Sequence, residues 1–595
     1  MRDKAARLRG GTFTIALFGA FSAGKSSFAN ALIGERILPV SPNPTTAAIN
    51  RIVPPSPDWP HGTARVRMKT ADAILADVRY SLDVLGEPAS GMADAIARIR
   101  RLSPAAVPAK GKPHYAFLRA VEAGWAQAEP QLGKDVRIAL DEFAAYVADE
   151  ARSCFVDYIE LHYANELTEQ GIIFVDTPGA DSINARHTGV AFDYIKNADA
   201  ILFVTYYNHA FSQADREFLL QLGRVKDSFE LDKMFFIVNA ADLASGPEEL
   251  EGVLTHVESN LLQHGIRHPR LYPVSSLMAT DGKLSGDEAL IRQSGIASFE
   301  RDFIKFSVEE LASVAVMSAG QELERAVHVL DQWLAGAQQD EAARKRRIAE
   351  LEQSLRRALA ELEEASFGEE LQELEKEIRE LLYYVKQRTS YRFGELYQLA
   401  FNPASFRDDA GDARTALAGA WKELARMIGF DLEQETLATT LRIENAMNAM
   451  AKKRQIAWNE RFAELVGGYE PEPYEPKKFR AAEHTVKFEP EPVSDKTLLA
   501  YYKNAKHFFE GDGKAKLRAE LEARLSEPMA AYVAAQTEAL QAAYASQLAD
   551  RFAELKADRA ESLQHYVSGL LAALSDNVDL EALGSTRRQL AELLS

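Results

Sequence analysis

Eight consecutive residues, Gly19-Ala-Phe-Ser-Ala-Gly24-Lys25-Ser26, match the G-x-x-x-x-G-K-[ST] spacing of a phosphate-binding loop. Each residue type has a task there. The glycines let the backbone N–H groups of the stretch from Gly19 through Ser22, Ala23, Gly24 and Ser27 turn inward around phosphates. Lys25 reaches the β- and γ-phosphates, and the Ser26 hydroxyl holds Mg2+. An apolar run precedes the motif and a helix follows it, so a positive helix end points at the anion. Alone, the motif says only that a nucleoside triphosphate is bound.

Three further motifs follow in an order that narrows the nucleotide. Asp176-Thr177-Pro178-Gly179 comes after an apolar run; Asp176 is placed to hold Mg2+ through water and the Gly179 N–H to sense the γ-phosphate. Asn239-Ala-Ala-Asp242 fits N-K-x-D with Ala240 in place of Lys. A carboxylate at Asp242 accepts from guanine N1–H and the exocyclic amine. Adenine offers an acceptor at N1 and leaves that carboxylate unpaired, a mismatch that discriminates strongly. Ser275 and Ser276 lie where a fifth loop backs the base, and Thr45 and Thr46 lie where a switch threonine binds Mg2+. A one-residue shift places either threonine there, and Thr46 is taken as the switch residue. Loss of the usual Lys at 240 predicts weaker nucleotide binding or faster exchange.

These residues need a scaffold. Thr12–Phe18, Ile172–Val175, Ala200–Thr205, Met234–Asn239 and Arg270–Val274 are short, apolar and bounded by turn residues, as in a buried, mostly parallel sheet. The first 310 residues therefore read as an α/β head, with an Ala-rich helical insertion at about 70–155. From about 310 the pattern changes. Ile348, Leu351, Leu355, Leu359 and Leu362, then Leu371, Leu374, Ile378 and Leu381, recur at helical steps amid Glu, Arg, Lys and Gln, which predicts amphipathic helices packed in a bundle or coiled coil. A stretch over 321–382 spans about 90 Å, with a break near Ser366 and Gly368. Residues 311–465 read as a neck and trunk, 466–512 as a Pro/Glu-rich linker, and 513–595 as helices that return along the trunk.

The bulk numbers exclude some classes. The net charge of −19 makes the chain a poor general ligand for nucleic acid, whose phosphates it repels. The one cysteine, Cys154, cannot form an internal disulfide and suits a reducing cytoplasm. No apolar run reaches the roughly 18 residues of a spanning helix, so if the protein meets a membrane it does so from the surface.

Gly19 through Ser27, Leu38-Pro39, Pro44-Thr45-Thr46 and Asp176-Thr-Pro-Gly-Ala180 resemble the GTPase domains of the dynamin superfamily, in particular bacterial dynamin-like proteins and, more distantly, mitofusins. The chain is similar to one unit of the bacterial proteins that fuse two such units. The resemblance implies an α/β P-loop GTPase head with a long helical neck and trunk. It implies low nucleotide affinity and hydrolysis that quickens when heads dimerise, as a homodimer or with a related dynamin-like chain. It also implies a membrane-binding tip on the cytoplasmic face of the cell membrane. Lys25, Ser22 and Thr46 carry over as catalytic, and Ser26, Thr46 and Asp176 as Mg2+ ligands. Dynamins proper have Gln where this chain has Phe21, so water placement must rest on backbone, Ser22, the switch loops or a cation. The head begins at about residue 12, which leaves almost no room for the helix that precedes it in the family; either the neck forms differently or the true start lies upstream.

The expected tip is 383–407. It holds Tyr383, Tyr384, Tyr391, Phe393, Tyr397, Phe401 and Phe406, with Lys386, Arg388, Arg392 and Arg407 against Glu395. Aromatic and basic residues together suit the interface of an anionic bilayer, although aromatics at helical spacing also pack cores. Tyr501 to Phe509 is a weaker second candidate. If the aromatics are buried, a different reading gains ground: a soluble scaffold switched by GTP that recruits a protein partner. A chromosome-organising coiled-coil ATPase is excluded, because the long helices do not divide the head in two.

Overall fold

A computed structural model describes residues 12–20, 23–40, 49–103, 111–177, 198–212, 215–216, 218–220, 233–264, 266, 268–337, 341–403, 413–480, 486–574 and 580–593. The chain divides into two compact units, Met1–Ala315 and Val316–Ser595. Each has its own hydrophobic core.

The first unit is built on β1 (Phe13–Phe18), β2 (Ile49–Val53), β3 (Thr63–Met68), β4 (Asp135–Ala139), β5 (Val156–His162), β6 (Ile172–Asp176), β7 (Ala200–Tyr206), β8 (Met234–Asn239) and β9 (Arg270–Val274). Among the described residues they form one sheet in the order β4-β3-β5-β2-β6-β1-β7-β8-β9. From β6 to β9 all pairings are parallel. These strands are the apolar runs legible in the sequence, and β6, β7 and β8 are buried almost throughout, as a sheet covered on both faces requires.

The other end of the sheet departs from expectation. β2 runs antiparallel to β6 and parallel to β5, and β3 pairs antiparallel with β5 and β4. β4 lies inside the insertion expected to be helical. Its sequence, DVRIA, pairs with TARVRM of β3, and a row of charges crosses the strands: Arg51 with Glu160, and Arg65 with Asp135 and Glu160. Polar residues on one face hid these strands, because half-exposed strands alternate where buried ones do not. The insertion otherwise carries helices α2 (Ala71–Val84), α3 (Met92–Arg101), α4 (Lys112–Ala128) and α5 (Leu140–Ala148), after α1 (Lys25–Ile33) that follows the phosphate loop.

The remaining helices are α6 (Pro247–Gln263), α7 (Ser276–Ser285), α8 (Ile296–Ala337), α9 (Glu341–Glu364), α10 (Gly368–Ala400), α11 (Ala413–Val466), α12 (Gly513–Ala573) and α13 (Leu580–Glu592), with short helices between. α8 starts in the first unit, where Phe299 packs edge-on against Phe28 of α1 and, with Phe303, against Phe235 of β8.

In the second unit α9 stops at the predicted break. Phe367 stacks face to face on Phe552 of α12 at 4.5 Å, and Lys556 Nζ donates to the Glu363 and Ala365 carbonyls that the helix end leaves open. α10 packs against α11 and α12. Buried residues of α12 run Leu517, Leu521, Leu525, Met529, Tyr532, Gln536, Leu540, Tyr544, Leu548, Phe552, Leu555. Steps of four dominate, a mean above 3.6, so the stripe drifts opposite to a heptad seam. This is a bundle helix and not a heptad coiled coil.

The Pro/Glu-rich stretch is extended, as its prolines require, but it is strapped to the bundle. Asn448 accepts from Lys477 N (2.9 Å) and donates to Lys477 O (3.0 Å), and Gln547 does the same for Arg480 (2.8 and 3.1 Å). Tyr469 and Phe479 are buried.

The expected tip is divided by the structure. Phe393, Tyr397 and Phe401 are core residues, stacked in series. Arg388 pairs with Glu435 and Arg392 with Asp431 of α11, which cancels half of the basic charge. Tyr383, Tyr384 and Tyr391 point outward, Tyr391 with 86% exposure. Phe406 and Arg407 lie outside the described residues. Among the described residues no helix is long and apolar enough to cross a membrane.

Candidate functional site

The parallel register of β1, β6, β8 and β9 brings their carboxyl ends to one edge of the sheet, where open α/β sheets bind ligands. The phosphate loop leaves β1, Asp176 ends β6, Asn239 ends β8 and Ser275 follows β9.

Two glycines are required by geometry. Gly19 has φ 146°, and a Cβ there would lie 2.0 Å from the Val204 carbonyl oxygen. Gly24, the residue before α1, has φ 87°, and a Cβ would lie 2.2 Å from Asn239 Nδ2. Both conformations are left-handed or otherwise closed to side chains, and both let the backbone approach a neighbour.

Lys25 is buried, and its Nζ donates to the carbonyls of Gly19 (3.2 Å) and Ala20 (3.1 Å), across the mouth of the loop. Ser26 Oγ donates to Asp176 Oδ2 at 2.6 Å. Asp176 is fully buried, and its other oxygen, Oδ1, has no hydrogen-bond partner among the described residues. Burial pushes its carboxyl above the usual range, opposed by Lys25 and Ser26. A buried carboxylate oxygen without a donor beside a serine hydroxyl is the donor set of a hard divalent cation, and Mg2+ fits it. Thr177 Oγ1 donates to the Leu17 carbonyl at 2.6 Å and ties the second motif to β1.

Asn239 is the hub. Its Nδ2 donates to Ala23 O at 3.0 Å, and its Oδ1 accepts from Ala240 N (2.9 Å), Ser276 N (3.2 Å) and Ser276 Oγ (2.7 Å). The side chain thereby joins the phosphate loop to two loops beyond it. Asp242, three residues on, is exposed at the end of a turn. Ala240 sits at φ 61°. Ser275 is a helix cap: its Oγ accepts from Met278 N at the start of α7.

The structure thus brings together Gly19, Ala23, Gly24, Lys25, Ser26, Ser27, Asp176, Asn239, Asp242 and Ser275. Ser22, Thr46 and Gly179 lie outside the described residues. Of the two fifth-loop serines, Ser275 caps α7 and Ser276 is the one whose side chain reaches the hub. Sequence reasoning missed Lys283, whose Nζ donates to the Ala31 and Leu32 carbonyls at the end of α1 and pairs with Glu300; a lone Lys in a helix carries no signal in sequence.

Residues 15–241 match the model of the Dynamin family. The chain is 34% identical over 558 residues to Dynamin-like protein A of Bacillus subtilis (strain 168), covering 92% of this chain and 45% of that protein. It is 24% identical over 324 residues to Bacterial dynamin-like protein of Nostoc punctiforme, covering 51% of this chain and 38% of the other. A solved oligomerised bacterial dynamin pair, described as a mechanism for the long range sensing and tethering of membranes, aligns over 96% of this chain and 75% of that one at 16% identity and a TM-score of 0.43. The chain spans half or less of the length of these curated relatives. With its phosphate loop, its Asp176–Ser26 pair and its Asn239 hub on one sheet edge, with the family match over residues 15–241 and with 34% identity over 92% of its length to Dynamin-like protein A, the chain belongs to the dynamin family and is similar to bacterial dynamin-like proteins.

Proposed function

We propose that this chain hydrolyses GTP to GDP and phosphate and couples the reaction to a membrane surface. The observation that carries the first half is the Asn239 hub, which clamps the phosphate loop to the loop bearing an exposed Asp242. One rigid junction therefore sets the distance between the phosphates and the base.

Lys25 leaves the carbonyls of Gly19 and Ala20 for the β- and γ-phosphates, and the loop amides surround the same oxygens. Ser26 and Asp176 would hold Mg2+, which would neutralise charge that builds on the phosphates. Catalysis is then positioning and electrostatics, with water attacking directly and no covalent enzyme intermediate. Ser22, Thr46 and Gly179 complete the site in this reading. A second head, of this chain or of a related dynamin-like chain, orders the switches.

The membrane half rests on what stays exposed at one end of the second unit. Phe401 meets Phe508, and Tyr397 Oη donates to Lys514 O, so the ends of α10, the helix Ala505–Phe509 and the start of α12 share that end. Tyr391, Leu399 and Leu499 are exposed there, with Lys503 and Lys506. This exposure supports the reading in which the protein sits peripherally on the inner face of the cell membrane. The burial of Phe393, Tyr397 and Phe401 favours a second reading, a GTP-switched scaffold that recruits a protein without remodelling lipid.

The test is GTP and ATP turnover with and without anionic liposomes, with pelleting in parallel. Lys25→Ala is expected to abolish hydrolysis, and Asp242→Asn to erode the preference for GTP. Wild-type turnover in the first or an unchanged preference in the second refutes the site. Pelleting lost in Tyr391→Asp/Lys503→Glu supports the membrane reading; turnover without pelleting supports the scaffold.

A further inference from the structure

The site as described leaves one buried carboxylate without a task. Asp215 lies just past the end of β7 and is 1% exposed. Its Oδ2 accepts from Thr205 Oγ1 (3.0 Å), Ser212 N (2.8 Å) and Ser212 Oγ (3.1 Å), and Asp215 N donates back to Ser212 Oγ (3.3 Å). That is a reciprocal capping arrangement. Thr205 Oγ1 also accepts from Phe211 N, whose residue sits at φ 69°, a left-handed conformation a bulky side chain rarely adopts. The turn from Tyr206 to Ser212 is therefore held in shape by Thr205 and Asp215.

Capping uses only Oδ2. The other oxygen, Oδ1, is buried and makes no hydrogen bond among the described residues. An acceptor left so is costly and calls for a reason. The backbone N–H of Ala20, in the phosphate loop, is near enough to this carboxylate to act on it. Burial raises the Asp215 carboxyl, while the donors of Ser212 and Thr205 and the backbone N–H of Ala20 favour the charged form. Two more contacts put the same elements together: Phe218 stacks on Phe18, the residue before Gly19, at 4.8 Å, and Gly19 lies against the Val204 carbonyl. Meanwhile Lys25 holds the carbonyls of Gly19 and Ala20, which fixes the orientation of those peptides as long as no phosphate draws the lysine away.

We propose that Asp215 is a positioning residue of the phosphate loop, whose Oδ1 draws the nearby Ala20 N–H into a full hydrogen bond once nucleotide takes Lys25 from the Gly19 and Ala20 carbonyls. The loop and the turn Tyr206–Ser212 then move as one body, so anything that grips the turn adjusts the loop. This inference rests on the nucleotide site proposed above.

The experiment compares wild type, Asp215→Asn and Ser212→Ala. Asparagine keeps the size but turns an N–H2 toward the Ala20 N–H, whereas Ser212→Ala removes the two capping bonds of the serine hydroxyl and leaves Oδ1 alone. Asp215→Asn is expected to lower kcat about 10- to 100-fold with KM changed by less than about threefold, the scale of a misplaced catalytic loop. Ser212→Ala is expected to lower Tm and keep kcat within about twofold. Equal kcat in Asp215→Asn and wild type, or losses in both variants that follow their Tm, overturn the inference. Should Asp215→Asn fail to fold, wild type decides: the Ala20 amide must gain protection from hydrogen exchange on binding GDP, and no gain overturns the inference. A wild type that hydrolyses no GTP sinks the function proposed above but not this one, since the same exchange measured with pyrophosphate as the loop's ligand still decides it.

Discussion

At the scale of single residues, backbone geometry and polar saturation decide function before any side chain touches a ligand. Gly24 is an instance. Its φ of 87° and its 2.2 Å hypothetical Cβ contact with Asn239 Nδ2 mean that a methyl group must displace the hub. Gly24→Ala is expected to weaken fluorescent-nucleotide binding at least about tenfold, equivalent to roughly 1.4 kcal/mol; titration at near wild-type affinity contradicts the hub. Asn239→Ala strands the Ala23 carbonyl and Ser276, and is expected to cost about 2–4 kcal/mol in chemical denaturation, the sum of two or so buried groups left without partners. Cys154 gives an independent probe. Burial pushes its thiol up to about 12, so it is neither exposed nor thiolate at neutral pH. A thiol reagent should find no reactive group in the native protein and one after denaturation; rapid native labelling refutes its placement in the head's core.

At the scale of elements, α10 shows how one helix serves two environments. Its buried positions run Leu374, Ile378, Leu382, Val385, Thr389, Phe393, Leu396, Tyr397 and Ala400, a stripe that recurs every three or four residues, and the intervening tyrosines face outward. Phe401→Ala is expected to cost about 3–5 kcal/mol, while Tyr391→Ala, at 86% exposure, should stay within about 0.5 kcal/mol. Comparable losses in both by urea denaturation refute the division. Changing Phe393 or Phe401 to Asp would therefore report collapse of the bundle rather than loss of lipid contact. The strap at 469–480 is a parallel case. Prolines made its extended form legible, but the Asn448 and Gln547 side chains that pin it lie elsewhere in the chain, so their pairing could not be read from spacing.

At the scale of the whole molecule, charge sets what the protein avoids. With a net charge of −19, general attraction to polyanions is absent, and no mobility shift of duplex DNA is expected at about 0.15 M salt. A stable complex there refutes the exclusion of nucleic acid. The surface still carries local positive groups, such as Arg51, Arg65 and Arg67 on the outer strands, but Glu160 and Asp135 lie among them.

The sequence by itself determined the nucleotide chemistry and the class of scaffold. Phosphate and guanine recognition need particular residue types at short, local spacings, and buried parallel strands and amphipathic helices write their periodicity into contiguous residues. Only the tertiary structure decided which of these residues act and which support. It made Asn239 a brace between the phosphate loop and Ser276, and buried half of an aromatic stretch that looked suited to lipid. It also revealed the strands β2 to β5, whose charged faces conceal them. The reason is the same in each case: hydrogen-bond partners and packing faces are contributed by residues far apart in the chain, and composition carries no record of which of them meet.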